Sequence, residues 1–233
     1  MNLENIRMLE LAADRLDHLL SEVVFVGGAT VELWISDEAA PEFRPTDDVD
    51  VIVEITTQRD FHRFEARLRE AGLDNDQESG MICRFKHPGS SLLLDVMPTD
   101  ASILGFENRW QAEAFPHSTQ VTLPSGRQIQ AIPPPYLLAT KLEAFRTRGK
   151  GDFYGSRDFG DLVSLIDGRE ELPDEVSIAP APLRKYVAGR LGELSRHPTF
   201  DSALEGALPL GPETQERVVL VLRPRVSEMI NSS

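Results

Sequence analysis

A chain of 233 residues that is 41% hydrophobic and 27% charged has the composition of a folded globular protein, and its length suits one catalytic-sized core with a smaller appendage. Its 16 glycines have no three-residue period, which excludes collagen, and no apolar run nears the ~18–20 residues that span a bilayer. A net charge of −14 repels phosphate backbones and argues against a general nucleic-acid binder. The opening segment mixes charges through its apolar positions, unlike a secretory signal. A single cysteine, Cys83, offers no internal disulfide and no thiolate zinc cluster. The expected setting is the cytoplasm, with no membrane partner.

Ile6, Leu9, Ala13, Leu16 and Leu20 recur every three or four residues, which predicts an amphipathic helix over 3–20. Val23–Val26 reads as a buried strand ending at Gly27-Gly28, and Ala29–Ile35 as a helix directly after that turn. Val49–Ile55 is the next strand. A helix over 58–71 closes on Gly72. Ile82–Lys86 and Leu92–Met97 predict a hairpin around His87–Ser90, and Thr119–Leu123 with Gln128–Ile132 a second one. Pro133-Pro134-Pro135 punctuates the chain, with Pro135 placed to start a helix to about Arg146. A Gly-rich loop over 149–156 precedes a helix over 157–166. Leu172–Pro182 reads as a linker, and 183–195 and 212–229 as helices. The fold class is α/β (α+β): a mixed sheet with flanking helices over 1–132, then a mostly helical part over 133–233.

Charge is uneven along the chain. Residues 37–54 hold Asp37, Glu38, Glu42, Asp47, Asp48, Asp50 and Glu54 against Arg44 alone. Residues 141–157 hold Lys141, Arg146, Arg148, Lys150 and Arg157 against Glu143 and Asp152. Asp48 and Asp50 sit two apart at the start of a strand, so both carboxylates project from one face. Held that close they repel unless a cation lies between them, and hard oxygen ligands favour magnesium over zinc. Asp95 interrupts the apolar strand LLLDVMP, and a buried carboxylate there needs a partner. It is the candidate third metal ligand, or the group that activates an attacking hydroxyl. Gly27-Gly28 lets backbone amides approach a phosphate. No Walker-type or GxGxxG pattern accompanies the pair, and it precedes Asp-x-Asp by 20 residues with one helix between.

That order resembles the DNA polymerase beta-like nucleotidyltransferase superfamily. Arg44-x-Thr46-x-Asp48-x-Asp50 is similar to the signature of its AbiEii/MenT branch, the nucleotidyltransferase toxins of toxin–antitoxin systems. The branch also has a later helical motif, matched here by Lys141, Arg146 and Arg157-Asp158-Phe159-Gly160-Asp161-Leu162. The resemblance covers roughly 21–166. Ala29 stands where many members carry Ser or Thr, and Thr30 follows it. The resemblance implies metal-dependent transfer of a nucleoside monophosphate from an NTP, with two magnesium ions held by Asp48, Asp50 and Asp95. It implies Gly27, Gly28, Thr30, Arg44, Thr46 and Lys141 as nucleotide contacts, and Lys141 and Asp158 as catalytic. The acceptor it implies is a tRNA 3′ end, met through 141–157, and the partner a cognate antitoxin. The acidity of the chain keeps open a small-molecule acceptor such as a cationic antibiotic. A catalytically idle metal- or nucleotide-binding partner is the third alternative. Read from the helix alone, Lys141 is an exposed lysine opposite Leu137, Leu138, Leu142 and Phe145, whose loss would barely change stability.

Overall fold

In the computed structural model, residues 3–105 and 108–232 are described; the ends of the expected ranges 1–132 and 133–233 lie outside them. By internal packing the described residues divide into two compact units, 3–33 with 44–133, and 34–43 with 134–232.

The first unit is built on a sheet. α1 (Leu3–Leu16) buries Asn5, Ile6, Leu9, Ala12, Ala13 and Leu16 on one stripe. Its α-helical stretch stops four residues short of the expected 20, because Asp17 takes φ 29° and the chain continues as a 3-10 turn over Asp17–Glu22. Short polar residues tolerate that left-handed conformation. β1 (Val23–Val26) is buried throughout, as a β-branched run covered on both faces must be. The helix expected after Gly28 is present as a 3-10 helix, Ala29–Trp34. Six residues including β-branched Thr30 and Val31 are too few to sustain an α-helical nucleus.

β2 (Val49–Val53) is followed by α2 (Gln58–Glu70). Thr57 caps α2 by accepting from the Asp60 amide, and Gly72, at φ 81°, lies just past its end. Then come β3 (Asp74–Asn75), β4 (Arg84–Lys86), β5 (Leu93–Pro98), α3 (Ala101–Leu104), α4 (Arg109–Ala114), β6 (Thr119–Thr122) and β7 (Gln128–Ala131). β3, α3 and α4 span two to six residues each, too short for periodicity to mark them. Among the described residues the sheet has seven strands in the order β3-β4-β5-β2-β1-β7-β6. It is mixed: β2–β5 and β1–β7 pair in parallel, and β1–β2, β3–β4, β4–β5 and β6–β7 antiparallel.

The second unit is helical: α5 (Pro134–Arg146), α6 (Arg157–Gly168), α7 (Leu172–Ile178), α8 (Ala181–Ser195), α9 (Phe200–Ala207), α10 (Thr214–Arg217) and α11 (Arg223–Asn231). The expected linker over 172–182 is therefore mostly helix. Pro173 and Pro182 sit in the first turns of α7 and α8, where the missing N–H has no intrahelical acceptor to lose. α9 is an unanticipated short helix that buries Phe200, Ala203 and Leu204. Between α10 and α11 the chain widens into a π turn over Val218–Leu222. Pro224 lies two residues past its end, and its ring would clash with the carbonyl four residues back in a regular α-helix.

Residues 34–43 group with these helices through specific bonds. The amides of Ser36 and Asp37 donate to the Gly168 carbonyl at 2.8 and 3.0 Å. Arg217 donates from Nε to Asp167 Oδ1 at 2.9 Å and from Nη2 to Asp37 Oδ2 at 2.7 Å. A Cβ on Gly168 would lie 2.3 Å from Ile35 Cδ1, so a larger residue there would have to move the end of the Ile35 side chain. Phe145, Phe153 and Phe159 form a ring cluster with centroids 4.9–5.3 Å apart.

Candidate functional site

The sheet register assembles the first cluster. Asp50 on β2 is the Cα partner of Val26 on β1 and of Asp95 on β5. Asp95 is in turn the partner of Arg84 on β4. Register partners share a face, so Arg84, Asp95 and Asp50 stand in a row across three neighbouring strands. Asp48, two residues before Asp50, joins the same face. Asp95 is only 4% exposed, between the buried Leu94 and Val96. The partner that its burial demands is Arg84. Arg84 Nε donates to Asp95 Oδ1 at 2.7 Å and Nη2 to Oδ2 at 2.7 Å, and the same Nη2 donates to Asp48 Oδ2 at 2.5 Å. The hydrogen bonds to Asp95 raise the Arg84 pKa, against the effect of burial, and Asp48 adds to it; the guanidinium is permanently charged. Burial, with the Asp95 charge beside it, pushes the Cys83 thiol up to about 11. Cys83 is thus a protonated core residue and no nucleophile.

Gly27 closes this row. It takes φ 81°, and a Cβ there would lie 1.8 Å from Asp50 Oδ2. The Asp50 carboxylate packs directly against the glycine backbone, so the position needs glycine for both conformation and space. The Gly28 carbonyl accepts from the Val31 amide at 3.1 Å. Thr30 is fully buried and its hydroxyl donates to the Gly27 carbonyl at 2.9 Å, pinning the turn from inside. The segment leading to Asp48 is held from α1. Asn5 Nδ2 donates to the Arg44 carbonyl at 3.0 Å, and Asn5 Oδ1 accepts from the Thr46 amide at 2.8 Å. The Thr46 hydroxyl donates to the Asp48 carbonyl at 3.2 Å. Thr46 thus shapes the loop that presents Asp48, and the Arg44 guanidinium bonds locally to the Pro45 carbonyl at 3.3 Å.

The second cluster lies within the helical unit. Lys141 Nζ donates to Asp161 Oδ2 at 2.5 Å and to Asp158 Oδ1 at 3.3 Å. Arg148 forks onto Asp158, with both bonds at 2.8 Å. The Lys141 side chain is 7% exposed, which corrects the expectation of a surface lysine. Its partners come from α6, 17 and 20 residues away, so the pattern of α5 alone cannot show them. Burial raises the Asp158 pKa, but the Arg148 hydrogen bonds and the Lys141 charge outweigh it and hold the carboxyl below its usual range. The basic run over 141–157 is likewise less free than its count suggests. Lys141 and Arg148 are engaged as above, and Arg146 pairs with Glu143.

The family model for the nucleotidyl transferase AbiEii toxin of type IV toxin–antitoxin systems matches residues 11–218. The chain belongs to the AbiEii family. No individual curated protein matches it. The match runs from within α1 to the first residue of the π turn, well past the 21–166 over which motifs resemble the branch. The chain is therefore a nucleotidyltransferase, with an NTP as the implied donor, and its mixed sheet with flanking helices is the α/β architecture expected of one. Among the described residues no helix is long and apolar enough to cross a membrane.

For an AbiEii nucleotidyltransferase the donor set is suited to a hard cation: carboxylate oxygens with neither thiolate nor imidazole in the row. Among the described residues no three metal-ligating side chains are already drawn around one point. Instead the Arg84 guanidinium, itself a cation, is held between Asp48 and Asp95. A site that already stabilises one positive charge between two carboxylates fits a metal ion. Two residues here escape motif reading, Arg84 and Asn5. Asn5 had a faint signal: it lies four residues before Leu9, on the apolar stripe of α1, where a polar side chain must find a buried partner.

Proposed function

We propose that this AbiEii nucleotidyltransferase is magnesium-dependent, transfers an NMP from an NTP to an acceptor hydroxyl, and does so with Asp48, Asp50 and Asp95 as its metal-holding carboxylates. The observation that carries the reading is the row of Asp50 and Asp95 across paired strands, with Asp48 joined to Asp95 through one guanidinium and Gly27 packed on Asp50. Two magnesium ions held there would neutralise the triphosphate and lower the pKa of the attacking hydroxyl. The chain's own residues do the rest. Gly27 and Gly28 bring backbone amides close to the phosphates, with Thr30 fixing the turn. Arg44 and Thr46 set the loop that aims Asp48 and face the nucleotide. Asp95 orients the acceptor hydroxyl, whose oxygen attacks the α-phosphorus as the bond to the departing pyrophosphate breaks. Lys141 and Asp158 enter the proposal on the sequence resemblance, as a charge that offsets the leaving pyrophosphate and the carboxylate that orients it.

The proposed acceptor is a tRNA 3′ end, which makes the protein a growth-inhibiting toxin of the cytoplasm with a cognate antitoxin. Exposed Arg146, Arg148, Lys150 and Arg157 supply the contacts proposed for the acceptor phosphates. The net charge of −14 favours a second reading, adenylylation of a cationic small molecule. Incubation with each α-labelled NTP, magnesium and total tRNA, resolved on a gel, separates the two. Label in the tRNA band, lost in Asp50→Ala, supports the first reading. Label transferred only when an aminoglycoside replaces the tRNA supports the second.

A further inference from the structure

We infer that Arg84 is a built-in counter-ion of the carboxylate row, a positioning residue whose hold on Asp48 must yield when a metal ion binds. The inference rests on the metal-dependent reading above and extends it to a residue outside the motif. A purely structural arginine would need only Asp95. Arg84 bonds both oxygens of Asp95, with Nε and Nη2 each at 2.7 Å, and then spends a third bond on Asp48. Without it, Asp48 and Asp95 would be like charges facing each other on one sheet face.

The two arms differ in strength. The Asp95 arm is bidentate and buried, with side-chain exposures of 15% for Arg84 and 6% for Asp95. Such a fork is geometrically specific and costly to break. The Asp48 arm is a single bond to a side chain that is 30% exposed, and partly solvated single contacts contribute far less. An entering divalent ion therefore takes Asp48 from Arg84 while the fork on Asp95 holds. Arg84 then plays two parts: it keeps the carboxylates aimed at a common point in the metal-free protein, and it competes with weakly bound cations for Asp48.

The full-length protein, its Arg84→Gln form and its Arg84→Lys form should be titrated with Mn²⁺ alone, free Mn²⁺ being read by electron paramagnetic resonance. Thermal midpoints should be recorded in EDTA and in Mn²⁺. Arg84→Gln is expected to bind Mn²⁺ tighter by on the order of ten-fold, the scale on which outer-shell partners tune metal sites. Its midpoint in EDTA is expected to fall, and to recover more on Mn²⁺ addition than that of the wild type. Arg84→Lys keeps the charge but not the planar fork, so its affinity and EDTA midpoint should fall between the other two. If Arg84→Gln does not fold in EDTA, the Arg84→Lys comparison decides. Mn²⁺ affinity no higher in the folded variants than in the wild type overturns the inference and leaves the metal reading standing. Mn²⁺ bound by none of the three proteins overturns both.

Discussion

Two clusters of carboxylates and cations, one on the sheet and one among the helices, are built from the same chemistry and differ in which group is shared. In the helical cluster one carboxylate, Asp158, holds two cations, Lys141 and Arg148, and Lys141 also reaches Asp161. In the sheet row one guanidinium, Arg84, holds two carboxylates, Asp48 and Asp95, with Asp50 in register beside Asp95. In a buried pair, removing one partner leaves an uncompensated charge. Carboxylates drawn together on one sheet face around a single guanidinium gain from a further cation. The difference teaches where to look for chemistry: the shared guanidinium singles out the sheet row proposed above for the metal, whereas ion pairing by itself marks only burial.

The sharpest way to break this comparison is Asp50→Ala. Transfer should fall by on the order of 10⁴-fold or more, as when a central catalytic group is removed. The thermal midpoint in EDTA should hold or rise, because a charge like those of Asp48 and Asp95 has gone from the same face. A marked loss of stability without metal would show that Asp50 stabilises the metal-free fold. Lys141→Ala is expected to behave in the opposite way. It removes the ammonium bonded to Asp161, which is 1% exposed, and should cost about 3–5 kcal/mol in chemical denaturation, the scale for breaking one side of a buried pair. The double change Lys141→Met, Asp161→Leu should restore most of that stability, since apolar replacement of a buried pair is often neutral. Kinetics of the stable double variant then show whether Lys141 also serves the reaction.

Gly27→Ala tests the geometry of the row without changing its charge. The left-handed backbone should cost roughly 1–2 kcal/mol, and the new Cβ must push the Asp50 carboxylate aside. Displacing a reacting group by about 1 Å typically costs on the order of 10²-fold, so kcat should drop that far while the protein stays folded. Unchanged kcat would mean that Asp50 does not work from the position seen here.

How much of this could be read beforehand follows from how local each feature is. The strands at Val23–Val26 and Val49–Val53 announce themselves as β-branched runs, and the two-residue period puts Asp48 and Asp50 on one face. Arg84 was hidden by register. Pairing the expected hairpin from its turn, with Lys86 opposite Leu92, sets Arg84 opposite Leu94. The actual pairing of Lys86 with Leu93 sets it opposite Asp95. A slip of one residue moves a side chain to the other face, and no local pattern fixes it here. The burial of Lys141 escapes the sequence for a related reason. Eleven of the 13 residues of α5 are buried, so the helix has almost no solvent face for a lysine to occupy. The prolines at 173 and 182 read as linker because proline signals a helix start and a loop alike.

The smallest expected effect concerns Arg148, whose side chain is 72% exposed although its partner Asp158 is buried. Solvent screens such a pair, so Arg148→Gln should cost no more than about 1 kcal/mol at neutral pH. Its signature lies in the pH dependence. The Asp158 pKa is depressed in the fold, so its stabilising contribution is complete above the ordinary carboxylate range and is lost as pH falls through the depressed value. Without Arg148, burial weighs more heavily against the ionised form and the depression shrinks, so less stability remains to be lost on acidification. The midpoints of wild type and variant should therefore differ most near pH 7 and converge towards pH 3. Asp167 contributes with the opposite sign, because burial outweighs Arg217 and raises its pKa. Its fold-specific proton is gained as pH falls into the carboxylate range, in both proteins equally, so it cancels from the difference. A constant gap between the two midpoints from pH 7 to pH 3 would show that Arg148 supports the helix by packing, and that Lys141 alone keeps Asp158 ionised.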